Sequence, residues 1–177
     1  MGKRKNKLSK EEQAEVEEWI YQNNTEETRM TDTMTIRVKC KTENQKILVN
    51  AIKEKEVVIC SGPAGTGKTF LACAEALKLI KRNGKYKKIV IVKSVTTLKN
   101  EEIGFLKGNL REKMEPFMFS FVHNFEKIVG QSITSRLREL KTIEELPIAY
   151  MRGINLDRSV IIIDEAQNIS QENMRTI

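Results

Sequence analysis

From residue 44 onward the apolar positions fall into runs and helical stripes. Ile47, Leu48, Ala51 and Ile52 recur at helical spacing and predict a helix over 44–52. Val57-Val58-Ile59-Cys60 is an unbroken apolar run leading into a Gly-rich loop, the pattern of a buried parallel strand. Leu71, Ala72, Ala76, Leu77 and Ile80 predict an amphipathic helix from Lys68 to Lys81, stopped by Asn83-Gly84. Ile89-Val90-Ile91-Val92 is a second buried strand, far enough along for a right-handed crossover. Met114, Phe117, Met118, Phe121, Val122, Phe125, Ile128 and Val129 mark another helix, with Pro116 in its first turn. Its aromatics read as core, with base stacking the alternative. Residues 131–146 are polar and of mixed charge, and Pro147–Tyr150 and Val160–Ile163 are two more strand candidates. Strands alternating with helices predict an α/β fold with a parallel sheet flanked by helices.

Residues 1–34 lack this texture. Lys and Arg crowd the first ten positions and glutamates follow from Glu11 to Glu18. Ser9 with Glu12 forms a capping box, and Val16, Trp19 and Ile20 supply one narrow apolar edge. The segment predicts a charged leader, helical or flexible, ahead of a domain at 35–177. The 177 residues suffice for one sizeable core, and 40% hydrophobic with 31% charged is an ordinary globular composition. No apolar run approaches the ~20 residues that cross a bilayer, so no membrane association is expected. No apolar stretch follows the basic N-terminus either, which makes cytoplasm the expected compartment.

Three cysteines without CxxC spacing point to neither a disulfide framework nor a zinc site. Cys60 and Cys73 read as small buried hydrophobes. His123, the only histidine, rules out a multi-histidine metal centre and reads as structural. The net charge of +7 permits an acidic partner such as nucleic acid, and equally a solvated lysine face.

The chemistry concentrates in three places. Gly62-Pro63-Ala64-Gly65-Thr66-Gly67-Lys68-Thr69 is a full GxxxxGKT between a predicted strand and a predicted helix. Its glycines let backbone N–H groups turn inward onto phosphates, and the helix N-terminus adds its dipole. Lys68 is placed for the β- and γ-phosphates of ATP, and the Thr69 hydroxyl for Mg²⁺. Val160-Ile161-Ile162-Ile163-Asp164-Glu165 delivers two acids at a strand's C-terminal end, where ligands bind in open α/β sheets. Asp164 is the expected second metal residue, acting through water, and Glu165 the group that orients and deprotonates an attacking water. A nucleotide kinase has no need of that neighbouring glutamate, so the pair favours hydrolysis. Finally, Asn44-Gln45 heads the preceding helix, and a glutamine amide can pair bidentately with adenine N6 and N7.

Taken in order, these segments resemble the PhoH-like family, relatives of the superfamily 1 helicase motor domain. The resemblance also rests on Glu102–Pro116, with its Gly104-Phe105-Leu106-Lys107-Gly108 turn, on Pro147–Gly153 and on Ala166-Gln167-Asn168, and it covers about residues 40–177. It implies a RecA-like P-loop core, ATP binding with Mg²⁺, ATP hydrolysis, and a role linked to single-stranded RNA or DNA. Lys93, Lys99 and Lys107 fall where related helicases touch nucleic acid, and serve as phosphate contacts or as a solvated loop. The resemblance further implies a strand between the Asp164 strand and the P-loop strand that comes later than Ile177. The expectation is therefore a domain missing its C-terminal part, either as a truncated or split product or as a chain whose sheet is completed by another polypeptide or by homo-oligomerisation. Two other readings stay open: a P-loop small-molecule kinase, and a non-catalytic ATP-binding module.

Overall fold

The computed structural model describes residues 30–82, 84–93, 110–148, 151 and 153–175, together with Glu18. The chain divides into two units, Met1–Thr33 and Met34–Ile177. Of the first, residues 30–33 form a helical turn in which the Thr33 hydroxyl donates to the Met30 carbonyl at 3.0 Å.

The second unit is an α/β layer structure. Helix α1 (Glu43–Glu54) opens where Thr42 caps it, its hydroxyl accepting from the Gln45 N–H at 3.3 Å. Glu43 in the first turn and Lys53 in the last both suit the helix dipole. Helix α2 (Lys68–Arg82) leads to strand β1 (Lys88–Lys93). Helices α3 (Leu110–Val129) and α4 (Gln131–Glu139) follow, then strands β2 (Ile143–Pro147) and β3 (Ser159–Asp164). A 3₁₀ turn (Ala166–Asn168) and the short helix α5 (Gln171–Met174) end the described chain.

The three strands lie in the order β2–β1–β3, all parallel. Ile89 faces Ile143 on one side of β1, and Lys93 faces Asp164 on the other. Alternation along β1 sends its side chains to opposite faces. Ile89 and Ile91 join Leu77, Ile80, Met118, Phe121, Phe125 and Leu137 in the main core. Val90 and Val92 pack on the reverse face with Met151, Leu146, Ile161 and Ile163. Each such side chain, fully buried, contributes roughly 1.5–3 kcal/mol.

Four expectations need correcting. Val57–Cys60 is no strand: Val57 and Ile59 are 80% and 93% exposed, and Cys60 is exposed rather than buried. A strand exists only where a neighbour answers its N–H and C=O groups, and none of the three strands pairs with this segment. The polar stretch at 131–146 holds both α4 and β2; of the strand expected at Pro147–Tyr150, Pro147 ends β2, Ile148 lies past it, and Ala149 and Tyr150 lie outside the described residues. Glu144 and Glu145 fit within β2 because Lys88 (3.3 Å) and Arg138 (2.9 Å) neutralise them. Helix α3 begins at Leu110, which places Pro116 beyond its first turn. On α1, Ile47 is 60% exposed and Val49 is the buried residue.

On α3 the predicted core positions Met118, Phe121, Phe125 and Ile128 are buried, whereas the side chains of Met114 and Phe117 lie outside those described. His123 is exposed and stacks on the exposed Phe119, ring centroids 6.0 Å apart. Phe121→Ala, which empties the centre of the main core, should therefore cost about 3–5 kcal/mol in urea unfolding. Phe119→Ala, two residues away on the solvent side, should stay within about 0.5 kcal/mol of the parent.

Candidate nucleotide site at the head of helix α2

The loop 62–67 turns the chain from the unpaired segment at 57–60 into α2. Gly65 (φ 75°) and Gly67 (φ 84°) both sit in the left-handed region and flank Thr66. A residue with a Cβ is strained in that region, so glycine is what lets the loop curl and gather its N–H groups. The Thr66 hydroxyl donates to the Pro63 carbonyl at 2.9 Å and closes the curl. The first-turn N–H groups of α2 have no intrahelical partner, and no acidic side chain occupies that turn. An anion is the natural complement. Lys68 holds its ammonium inside the same loop, donating to the Gly62 and Pro63 carbonyls at 2.8 Å each.

The second half of the site comes from β3. In register with Lys93, Asp164 is the strand's last residue and stands at its C-terminal end. There the Thr69 hydroxyl donates to Asp164 Oδ1 at 3.3 Å, a part-buried contact across 95 residues of sequence. Two hard oxygens so placed fit Mg²⁺, which takes one or two protein oxygens and completes its shell with water and substrate phosphate. Among the described residues no cluster of three His, Cys, Asp or Glu could hold a metal unaided.

Glu165 follows in a left-handed conformation (φ 53°), unusual for a residue with a Cβ. That backbone bends the chain off the strand into the 3₁₀ turn, where the Asn168 N–H donates to the Glu165 carbonyl at 2.9 Å. The Glu165 side chain is exposed, and the Gln167 amide donates to its carboxylate.

Gln45 reaches the loop from α1. Its Nε2 donates to the Thr66 carbonyl at 3.0 Å, and its Oε1 accepts from the Lys41 N–H at 2.6 Å. The predicted residues Gln45, Gly62 to Thr69, Asp164 and Glu165 thus fall on two adjoining pieces, the loop with its α1 brace and the end of β3. Lys99, Lys107 and most of the Glu102–Pro116 segment lie outside the described residues, as does the Lys93 side chain.

Gln167 had no role assigned from the sequence, and Cys73, read there as a small buried hydrophobe, is indeed buried. Gln167 lies inside a quoted motif, two residues beyond the acid it binds. Cys73 lies one helical turn past Thr69 on the same face of α2, a spacing that would have flagged it. Its thiol is buried, and its pKa is pushed up from 9.0 to about 12 by burial first and then by the negative charge of Asp164. The unfolded thiol ionises near 9.0 and the folded one near 12, so this group leaves stability unchanged below about pH 9 and lowers it as pH rises between the two. At pH 8, iodoacetamide should modify Cys60 in the folded protein and spare Cys73, as read by peptide mass spectrometry; rapid labelling of Cys73 would contradict the packing of this helix.

The sequence profile of the family described as PhoH-like protein matches residues 37–177. A PhoH-like protein of Bacillus subtilis is 38% identical over 169 residues, 96% of this chain and 51% of that protein. A PhoH-like protein of Synechocystis is 35% identical over 79% of this chain and 42% of its own length. Protein PhoH of Escherichia coli K12 is 31% identical over 80% of this chain and 40% of its own length. The chain thus spans about half the length of these relatives, or less. With a parallel sheet flanked by helices and a GxxxxGKT loop feeding α2, the chain has the P-loop NTPase fold and belongs to the PhoH-like protein family.

Proposed function

We propose that the protein binds ATP with Mg²⁺ at the head of α2 and hydrolyses it. The observation that supports this reading is the contact of the Thr69 hydroxyl, just after the Gly-rich loop in sequence, with the Asp164 carboxylate. Gly62 to Thr69 supply the amides and Lys68 the cation for the polyphosphate. Thr69 and Asp164 would hold the metal, Asp164 by way of a water. Glu165 accepts a proton from the attacking water, and Gln167 fixes one of its oxygens so that the other is free to do so. The bound Mg²⁺–ATP supplies a terminal phosphoryl group open to water. A small-molecule kinase has less in its favour, because Glu165 would then have no task.

The sheet enters the same reading. Strand β1, with a neighbour on each side, buries Ile89 to Val92 to 1% exposure or less. Strand β3, of like composition, is half-buried at all six positions. Its second edge has no partner among the described strands, and Val57 and Ile59 are apolar and uncovered nearby in sequence to the loop. One further apolar strand, whichever polypeptide supplies it, answers both deficits. A single-stranded RNA or DNA partner fits the charge of +7 and belongs to this reading as well, with binding that weakens steeply as salt rises.

Lys68→Ala should weaken ATP binding by at least about tenfold in calorimetry, since it removes the charge-assisted contact to phosphate. Unchanged affinity would count against the site. Glu165→Gln should abolish phosphate release from ATP, assayed without any added acceptor, while sparing binding. Loss of neither would mean that hydrolysis does not run through this carboxylate. The isolated 177-residue chain should turn over slowly. Fast turnover would contradict the need for a completing strand.

A further inference from the structure

Gln45 was read from sequence as a reader of adenine, a task that requires both of its amide atoms at once. In the structure both are engaged with backbone. The orientation of the amide is fixed by its partners: the Lys41 N–H can only donate, so it faces Oε1, and the Thr66 carbonyl can only accept, so it faces Nε2. The ends of the bridge are also held. The Gln45 N–H is anchored on the Thr42 cap, and the Thr66 side chain on the Pro63 carbonyl.

The peptide between Thr66 and Gly67 is planar and trans, so its C=O and N–H point in opposite directions. Gln45 draws the Thr66 carbonyl toward α1 and thereby turns the Gly67 N–H away from it. Gly67, at φ 84°, brings no Cβ to restrict the turning of this peptide, so the contact with Gln45 adds a restraint from outside the loop. Contact is close as well: a Cβ added at Gly67 would stand 3.5 Å from Gln45 Nε2.

We infer that Gln45 is a positioning residue that orients the Thr66–Gly67 peptide, so that the Gly67 N–H is presented to a polyphosphate whatever base that polyphosphate carries. The inference rests on the phosphate-binding reading of the loop. It changes what the residue discriminates: Gln45 contributes to affinity for the phosphate chain, and base selectivity arises elsewhere.

Inorganic tripolyphosphate, which has no base, separates the two roles. Binding of Mg²⁺ complexes of tripolyphosphate, ATP and GTP is measured by calorimetry for the parent and for Gln45→Ala, with thermal midpoints taken alongside. Gln45→Ala should weaken all three by a similar factor, about tenfold, the loss of one well-placed hydrogen bond. The thermal midpoint should barely move, since the side chain is only half-buried. Weakened ATP binding with tripolyphosphate and GTP unchanged would overturn the inference and restore base reading. Equal binding by parent and variant for all three would overturn it too. A parent that binds none of the three would remove the phosphate site itself, and this inference with it. Gln45→Glu provides a second variant that keeps the acceptor for Lys41 and loses the donor for Thr66. It should weaken tripolyphosphate at least as much as Gln45→Ala, and parent-like affinity in Gln45→Glu would be a further refutation.

Discussion

The hydrogen bond from Thr69 to Asp164 is the point on which the rest of the site depends. It joins the first turn of α2 to the last residue of β3, so it ties the loop that precedes one to the turn that follows the other. Its place is prepared by packing. Buried apolar residues of α2 press the helix onto the sheet, and the parallel register of β1 with β3 carries Asp164 level with Lys93 at the strand ends. A helix and a strand so fixed can bring a hydroxyl and a carboxylate together without a dedicated loop, which is why the pair is part-buried and still within reach of solvent.

Around that contact the polar groups brace one another. Carbonyls of Gly62, Pro63 and Thr66 are taken up by Lys68, by the Thr66 hydroxyl and by Gln45. With these three carbonyls engaged, the loop has N–H groups and a lysine charge to offer, an environment suited to an anion. The left-handed Glu165 is a local cost of about 1–2 kcal/mol, offset by the sheet behind it. It directs a carboxylate away from the strand axis. Cys73, one helical turn past Thr69, is buried in the main core, and burial together with the charge of Asp164 favours its protonated thiol.

Much of this was legible in the sequence because it is encoded locally. Ile89 to Val92 announces a buried strand in four letters, and Leu77, Ile80, Phe121 and Phe125 mark their helices by spacing. The loop from Gly62 to Thr69 is a pattern of backbone demands that few other sequences satisfy. What failed depended on neighbours. Val57–Cys60 has the composition of a strand, but pairing is a property of two segments, and the exposure of Ile59 follows from an edge that no letter near it reports. Strand β2 hid behind Glu144 and Glu145 because their partners, Lys88 and Arg138, come from other elements. The amide of Gln45 was located by sequence, yet its partners were not, since Thr66 becomes its neighbour only once α1 lies against α2.

On the reading proposed above, this pair of oxygens and this loop together form a metal–triphosphate site. A crystal structure of the protein with Mg²⁺ and a non-hydrolysable ATP analogue tests it most directly. The triphosphate should lie within the curl of Gly62 to Gly67, and the metal at about 2.1 Å from the Thr69 hydroxyl with Asp164 beside it. A triphosphate bound on another surface, or a metal remote from Thr69 and Asp164, would contradict it.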